Sequence, residues 1–222
     1  MDALIPLDVI LNEGRKYVQG TQLIARGGEA LAAKGLLADG AVVHAAGFHS
    51  ISDRTVSLRV GASQDGDETL GTISFRTASG EKTDASFVAG SSKAPDGNVP
   101  PQCKFRLKEA SGPLDATFHL EGVSDTEQFL VALIQTVKVR HEMLTDTVSD
   151  VWFTGLRGAD IPLSRPFPVA QGHLSISFRR MMQSDNRWQT LLSFDMKDPE
   201  GARILRGTLT FAFKSETKPD VD

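Results

Sequence analysis

Residues 124–144 read SDTEQFLVALIQTVKVRHEML, and the way this stretch folds decides the architecture of the chain. Ser124 followed three residues later by Glu127 reads as a capping box, in which each side chain satisfies a backbone N–H left free at a helix start. The pattern predicts a helix from Ser124 to Leu144. Phe129-Leu-Val-Ala-Leu-Ile134 is apolar on every face, and charge arrives only with Lys138, Arg140, His141 and Glu142. A helix lying on a surface would show a polar stripe earlier, so this one is expected to be wrapped by protein on most sides.

Three runs downstream can do the wrapping, because each alternates apolar and polar residues with the period of a half-buried strand. Residues 173–183 place Leu174, Ile176, Phe178 and Met182 on one face. Residues 188–196 do so with Trp188, Leu192, Phe194 and Met196, and residues 205–213 with Leu205, Leu209, Phe211 and Phe213. Ser184-Asp185-Asn186 and Asp198-Pro199-Glu200-Gly201 supply turn chemistry between them, so neighbouring strands should pair antiparallel. Residues 114–120 form the strand that leads into the helix.

Upstream, Leu23, Ile24, Leu31 and several alanines predict a second helix over residues 21–36. Gly27-Gly28 interrupts it: each glycine in a helix costs roughly 1 kcal/mol relative to alanine, so the pair needs a packing reason or a local break. Strands are expected at 41–51, 55–62, 69–77 and 83–89, after a short lead-in element in residues 1–15. Helix followed by strands thus occurs twice. Ile73-Ser74-Phe75 with Ser79-Gly80 and residues 85–87 echoes Leu192-Ser193-Phe194 with Glu200-Gly201 and residues 209–211. The expected organisation is α+β, in two tandem repeats: a first half over 1–89, a Gly, Ser and Pro-rich linker over 90–102, a second half over 103–214, and a flexible polar tail over 215–222.

A chain of 222 residues with 40% hydrophobic content can bury a substantial core. Its formal charge of −4 argues against a nucleic-acid binder, and Arg179-Arg180 is the adjacent basic pair on a predicted strand, one expected to point inward and one outward. A single cysteine, Cys103, excludes an intrachain disulfide and a Cys-based zinc site, which suits the cytoplasm. The N-terminus lacks a basic region ahead of an apolar run, and no stretch approaches the roughly 20 apolar residues of a membrane span. No Gly-x-Ser-x-Gly elbow or phosphate-binding glycine loop is present, and the histidines have no metal-site spacing.

A long apolar helix wrapped by an antiparallel sheet, twice over, resembles the double hotdog arrangement of acyl thioesterases and hydroxyacyl-thioester dehydratases. Tyr17-Val-Gln-Gly20-Thr-Gln-Leu-Ile24 resembles the Pro-Gly-x-x-x-Ile entry into the hotdog helix of the dehydratases, and Phe118-His119-Leu120-Glu121-Gly122 is similar to their His-Phe-Pro-Gly turn. Where the dehydratase helix carries its catalytic Glu or Asp, this chain has Ala25 in the first half and an apolar residue near Val131 in the second. The first half offers Arg15 and Tyr17, rather than histidine, ahead of its helix.

The resemblance implies an acyl thioester carried on coenzyme A or on the phosphopantetheine of an acyl carrier protein, with no other cofactor and no metal. His119 is the candidate base, just ahead of a helix whose N-terminus could hold the thioester carbonyl; a strand histidine with a satisfied hydrogen bond is the alternative. Asp125 and Glu127, in the first turn, could orient water or a substrate hydroxyl, or simply cap the helix. Tyr17, the single tyrosine, could donate to a carbonyl or enolate oxygen, or merely cover the helix end. Gly20, Thr21, Gly27 and Gly28 would let a narrow acyl or pantetheine chain approach the first helix, or let the two helices approach each other. His44 and His49 differ by an odd number of positions, so at most one faces the cleft, and His49 is taken as the substrate-binding candidate. The leading expectation is dehydratase-like elimination, with His119 moving the proton assisted by Asp125 or Tyr17; the alternatives are thioester hydrolysis, and acyl-chain or carrier-protein binding without turnover. The protein is expected to work as a monomer or homodimer.

Overall fold

The computed structural model describes residues 2–12, 17–62, 64–97, 103–112, 114–144, 149–163, 167–184 and 187–214. The first part of the chain forms β1 (Ala3–Pro6), β2 (Leu11–Asn12), α1 (Gly20–Ala33), β3 (Val42–Phe48), β4 (Arg54–Val60), β5 (Thr69–Arg76), β6 (Lys82–Lys93) and β7 (Asp96–Gly97). The second forms β8 (Lys104–Ala110), β9 (Asp115–Glu121), α2 (Thr126–Leu144), β10 (Ser149–Pro162), β11 (Gln171–Ser184), β12 (Arg187–Lys197) and β13 (Arg203–Lys214).

Burial explains why α2 is apolar all round. Phe129, Leu130, Ala132, Leu133 and Val137 are each at most 1% exposed, so the helix is enclosed as its sequence requires. Its start differs from the predicted capping box by one residue. Asp125, rather than Ser124, accepts the Gln128 N–H at 2.9 Å, and the Gln128 side chain reaches back to the Ser124 N–H at 3.0 Å. Glu127 instead turns inward, is buried, and meets Arg26 of α1 at 3.3 Å. In α1 the helix runs unbroken through Gly27-Gly28 for a packing reason. A Cβ on Gly27 would lie 3.3 Å from the Phe87 ring and one on Gly28 2.5 Å from Leu163, so both glycines serve helix-to-sheet contact, with neither a ligand nor the other helix filling the space.

Eleven strands form one antiparallel sheet in the order β1-β4-β6-β5-β3-β10-β13-β12-β11-β9-β8. β3 and β10 pair across the middle, Leu156 opposite Ala46 and Ile161 opposite Val43, and this seam joins the two parts into one surface. The alternating residues of β11, β12 and β13 point inward as expected, with one correction. A register shift between Phe178 and Arg180 reverses the alternation, so Met182 is 37% exposed while Met181 packs on the core, and Arg179 and Arg180 are both exposed. The Asp198–Gly201 turn forms as read, with the Gly201 N–H on the Asp198 carbonyl at 3.1 Å.

A helix followed by four strands occurs twice in chain order, yet the sheet is wired differently in the two parts. In the second part β13 lies beside β10 and β12 beside β11, whereas in the first β5 lies beside β3 and β6 beside β4. The echo between residues 73–75 and 192–194 therefore pairs strands that occupy different places in the sheet. Residues 90–93, read as linker, continue β6, and Ala94 is buried; residues 98–102, the tail from 215, and Arg15 lie outside the described residues. β8 and β10 were absent from the predicted strands. β10 hides its alternation behind Gly155, Gly158, three register shifts and a left-handed Asp160 at φ 44°.

His141, near the end of α2, is 1% exposed and stands among Phe178, Phe211 and Phe213. Its Nδ1–H donates to the Val137 carbonyl at 2.9 Å, so Nε2 accepts from the Thr190 hydroxyl at 2.9 Å. Burial holds this imidazole down at about 4, against an ordinary value of 6.5. The folded ring refuses a proton that the unfolded ring accepts below 6.5; stability is therefore whole above that pH and is lost as the pH falls towards 4, by about 3 kcal/mol. Urea unfolding at neutral and acidic pH should show this loss in the wild type and a much smaller one in His141→Asn; equal losses would remove His141 as the cause. Separately, Asp125→Ala should destabilise by about 1 kcal/mol and Ser124→Ala by a few tenths at most, and the reverse order would make Ser124 the cap.

Candidate functional site

α1 begins without a cap. Its N-cap residue, Gln19, makes no side-chain hydrogen bond to the helix, and the first turn contains no acidic residue. The first intrahelical bond runs from the Leu23 N–H to the Gln19 carbonyl at 3.2 Å, which leaves the amides of Gly20, Thr21 and Gln22 ahead of it. Gln22 is engaged elsewhere, donating to Asn12 at 3.0 Å and accepting from the Ile10 N–H. Thr21 is different: it is 4% exposed, and its Oγ1 is buried with no hydrogen-bond partner among the described residues. An unpaired buried hydroxyl costs about 1–3 kcal/mol, so its place at a bare helix end calls for a ligand.

Gln19, Gly20 and Thr21 open onto a cavity of about 100 Å³ between α1, α2 and the β3–β10 seam. α2 contributes Val131, Ile134, Gln135 and Lys138, spaced so that all four share one helix face. Phe48, Leu70, Val151 and Phe153 make an apolar wall with Val18 and Leu23, and Tyr17, Ser50, Ile51, Ser52 and Trp152 complete the lining. Phe48 packs where a Gly20 side chain would stand, 3.0 Å from that Cβ position, and its ring lies 5.7 Å from Phe87 and 5.8 Å from Phe153. Gly20 is therefore glycine to admit this ring. The positive end of α1 and the Lys138 ammonium give the cavity a field that favours a carbonyl oxygen or oxyanion. Among the described residues that line it, none is Asp, Glu or His.

The residues singled out from the sequence divide. Tyr17, Gly20 and Thr21 line the cavity. His49 is exposed at the end of β3, its ring 2.8 Å from the Thr69 carbonyl, next to the lining residue Ser50. Gly27 and Gly28 face the sheet and Leu163, and Asp125 and Glu127 are committed to the α2 cap and to Arg26. The carboxylates Asp125 and Glu127 already fill the start of α2, so the bare helix end belongs to α1, the reverse of the sequence-based expectation.

His119 lies on the outer face of β9, between inward-facing Phe118 and Leu120, and pairs with Glu121 at 3.0 Å. Its ring centroid is 5.2 Å from that of His173, whose imidazole is pushed below its ordinary value by burial and by Lys108 and His119. The alternation of β9 thus turns this histidine away from the helices. Nearby Cys103 is buried, its thiol pushed up to about 11, and so stays protonated at neutral pH. Among the described residues no group of three His, Cys, Asp or Glu could hold a metal ion, and no helix is long and apolar enough to cross a membrane.

Gln135 and Lys138 were missed as site residues. Their signal was present: they are the first polar residues on the α2 face that begins with Val131. That position, at which the family resemblance would place a carboxylate, does line the cavity and is apolar.

No protein-family model matches the chain, and no curated protein matches it in sequence. Solved structures do resemble it in shape. The tesB protein of Mycobacterium avium subs paratuberculosis superposes with a TM-score of 0.54 at 13% identity, over 96% of this chain and 92% of that one. GphF dehydratase 1 gives 0.54 at 11% identity, over 97% and 93%. A protein of unknown function with a hot dog fold from Alicyclobacillus acidocaldarius gives 0.56 at 10% identity, over 98% and 94%. The chain has the hotdog fold.

Thr21→Val keeps the shape of the side chain and deletes the unpaired hydroxyl, so thermal stability should stay equal or rise. A marked loss of stability, read by calorimetry, would mean that the hydroxyl is satisfied in the free protein.

Proposed function

We propose that this protein is an acyl-thioester-processing enzyme acting at the thioester carbonyl, with hydrolysis as its reaction. The observation that supports it most is the bare N-terminus of α1, with the partnerless Thr21 hydroxyl beside it, opening onto an apolar cavity. The carbonyl oxygen would accept from the first-turn amides, and the acyl chain would lie among Phe48, Leu70, Val151 and Phe153. Charge that develops on that oxygen during attack meets fixed dipoles which need no reorganisation. The carrier would be coenzyme A or an acyl carrier protein.

Hydrolysis is favoured over dehydration by what each asks of the site. Elimination of a β-hydroxyl requires one group to take the Cα proton and another to protonate departing hydroxide. The described lining holds no imidazole and no carboxylate for either task. A thiol with a pKa of about 8.5 leaves as thiolate without an acid, so hydrolysis needs chiefly a polarised carbonyl and a held water, for which Thr21, Gln135 and Tyr17 offer hydrogen bonds.

A second reading, acyl-thioester binding without turnover, draws on the same lining, because no strong base is there to activate the water. Offering saturated and 3-hydroxyacyl thioesters separately tells the readings apart. Release of free thiol from both supports hydrolysis, an enoyl absorbance from the hydroxyacyl substrate would establish dehydration instead, and saturable binding with neither product would establish binding alone. His119→Ala should leave thiol release unchanged; its loss in a folded variant would put the base on the outer face of the sheet.

A further inference from the structure

The sheet face turned away from both helices carries a pattern that the pocket does not use. Directly paired residues Ser177 of β11, Ser193 of β12, Thr208 of β13 and Arg157 of β10 form one transverse row. The row crosses the seam to Ala45 of β3 and Ser74 of β5. Short side chains along it leave a shallow trough over β10–β13, into which Arg157, Arg179, Arg203 and Arg206 project from exposed positions. Arg203 is paired with Asp195 at 2.6 Å, and Arg179 donates to the Ser193 hydroxyl at 2.8 Å. Among the described residues neither Arg157 nor Arg206 has a carboxylate partner. Four guanidiniums against one carboxylate is a local excess of positive charge in a chain whose formal charge is −4.

We propose that this trough is a docking surface for an acidic segment of a partner protein, bound over β10–β13 on the opposite side of the sheet from the acyl pocket. Guanidinium forks match carboxylates in bidentate geometry, and the serine and threonine hydroxyls between them can donate to the same groups or to backbone carbonyls. The transverse row ends in carboxylates on both sides, Asp115 of β9 directly beside β11 and Asp84 of β6 beyond β3 and β5, which repel an acidic partner at either end of the row. A second copy of the chain would bring arginine against arginine. A membrane surface is disfavoured because the aromatic residue at the trough, Phe194, is 2% exposed and no other described lining residue is aromatic or a large aliphatic, and a nucleic acid because the whole chain is acidic and no exposed ring is offered for stacking. Contact with a folded acidic segment is local, within a Debye length of about 8 Å at physiological salt, so the acidity elsewhere does not cancel it.

The test is fluorescence anisotropy of the full chain with three labelled probes: a Glu-Ala peptide, a single-stranded oligonucleotide and vesicles of phosphatidylserine in phosphatidylcholine. The wild type should bind the peptide in preference to the other two, more weakly as salt rises. Arg157→Glu/Arg206→Glu should weaken peptide binding by about tenfold or more, and Arg157→Ala/Arg206→Ala by less. Lys34→Glu, an exposed charge past the end of α1, should leave it unchanged. All variants should unfold thermally with the wild type and retain acyl-thioester binding, which keeps the outcome separate from that of the pocket. Equal peptide affinity in wild type and both double variants would overturn the proposal, as would stronger binding to the oligonucleotide or the vesicles.

Discussion

Two helices with too little polar surface to face water dictate the rest of this structure. α2 buries apolar residues on almost every side, and α1 carries a buried Leu23, Ile24 and Leu31 together with two glycines pressed against Phe87 and Leu163. Only a continuous curved sheet covers both at once, and the pairing of β3 with β10 makes it continuous. That seam sets where the helices end relative to one another. The cavity opens at the place where α1 begins, α2 shows its half-open face, and the starts and ends of the seam strands meet.

The two helix starts are chemically unlike, and this difference places the site. At α2 the backbone donors are met by Asp125, and a negative Glu127 follows in the first turn and crosses to Arg26. At α1 the N-cap Gln19 makes no side-chain bond to the amides, and a threonine hydroxyl without a partner among the described residues stands beside them. Free backbone donors are therefore offered to an acceptor oxygen at the second end and not at the first. The chain supplies two such termini; side chains decide which one remains available.

Much of the fold was legible because its apolar periods are strong. The burial of Phe129 to Val137 and the inward faces of β11–β13 follow from one-dimensional patterns that any compact solution must satisfy. The capping box misled by one residue because Ser124, Asp125, Glu127 and Gln128 offer two overlapping frames, and only the backbone path selects Asp125. Met182 and Arg179 escaped because a bulge shifts parity without leaving a mark in composition. β10 escaped for a related reason, since its glycines and its left-handed Asp160 interrupt the alternation that would announce a strand.

Residue chemistry by itself determined that the chain has two apolar helices, that most strands flank them in a repeating order, and that the carboxylate is missing from the helix positions where the family resemblance would put it. Tertiary structure alone decided that His119 faces outward, that Thr21, Gln135 and Lys138 converge on one cavity, and that β5 and β6 are placed differently from β12 and β13. The physical reason is the range of the interactions. Burial and periodicity act between residues a few positions apart and are written along the chain, whereas the facing of a histidine or the company of a threonine depends on strand pairing between residues far apart in sequence, which local pattern does not encode.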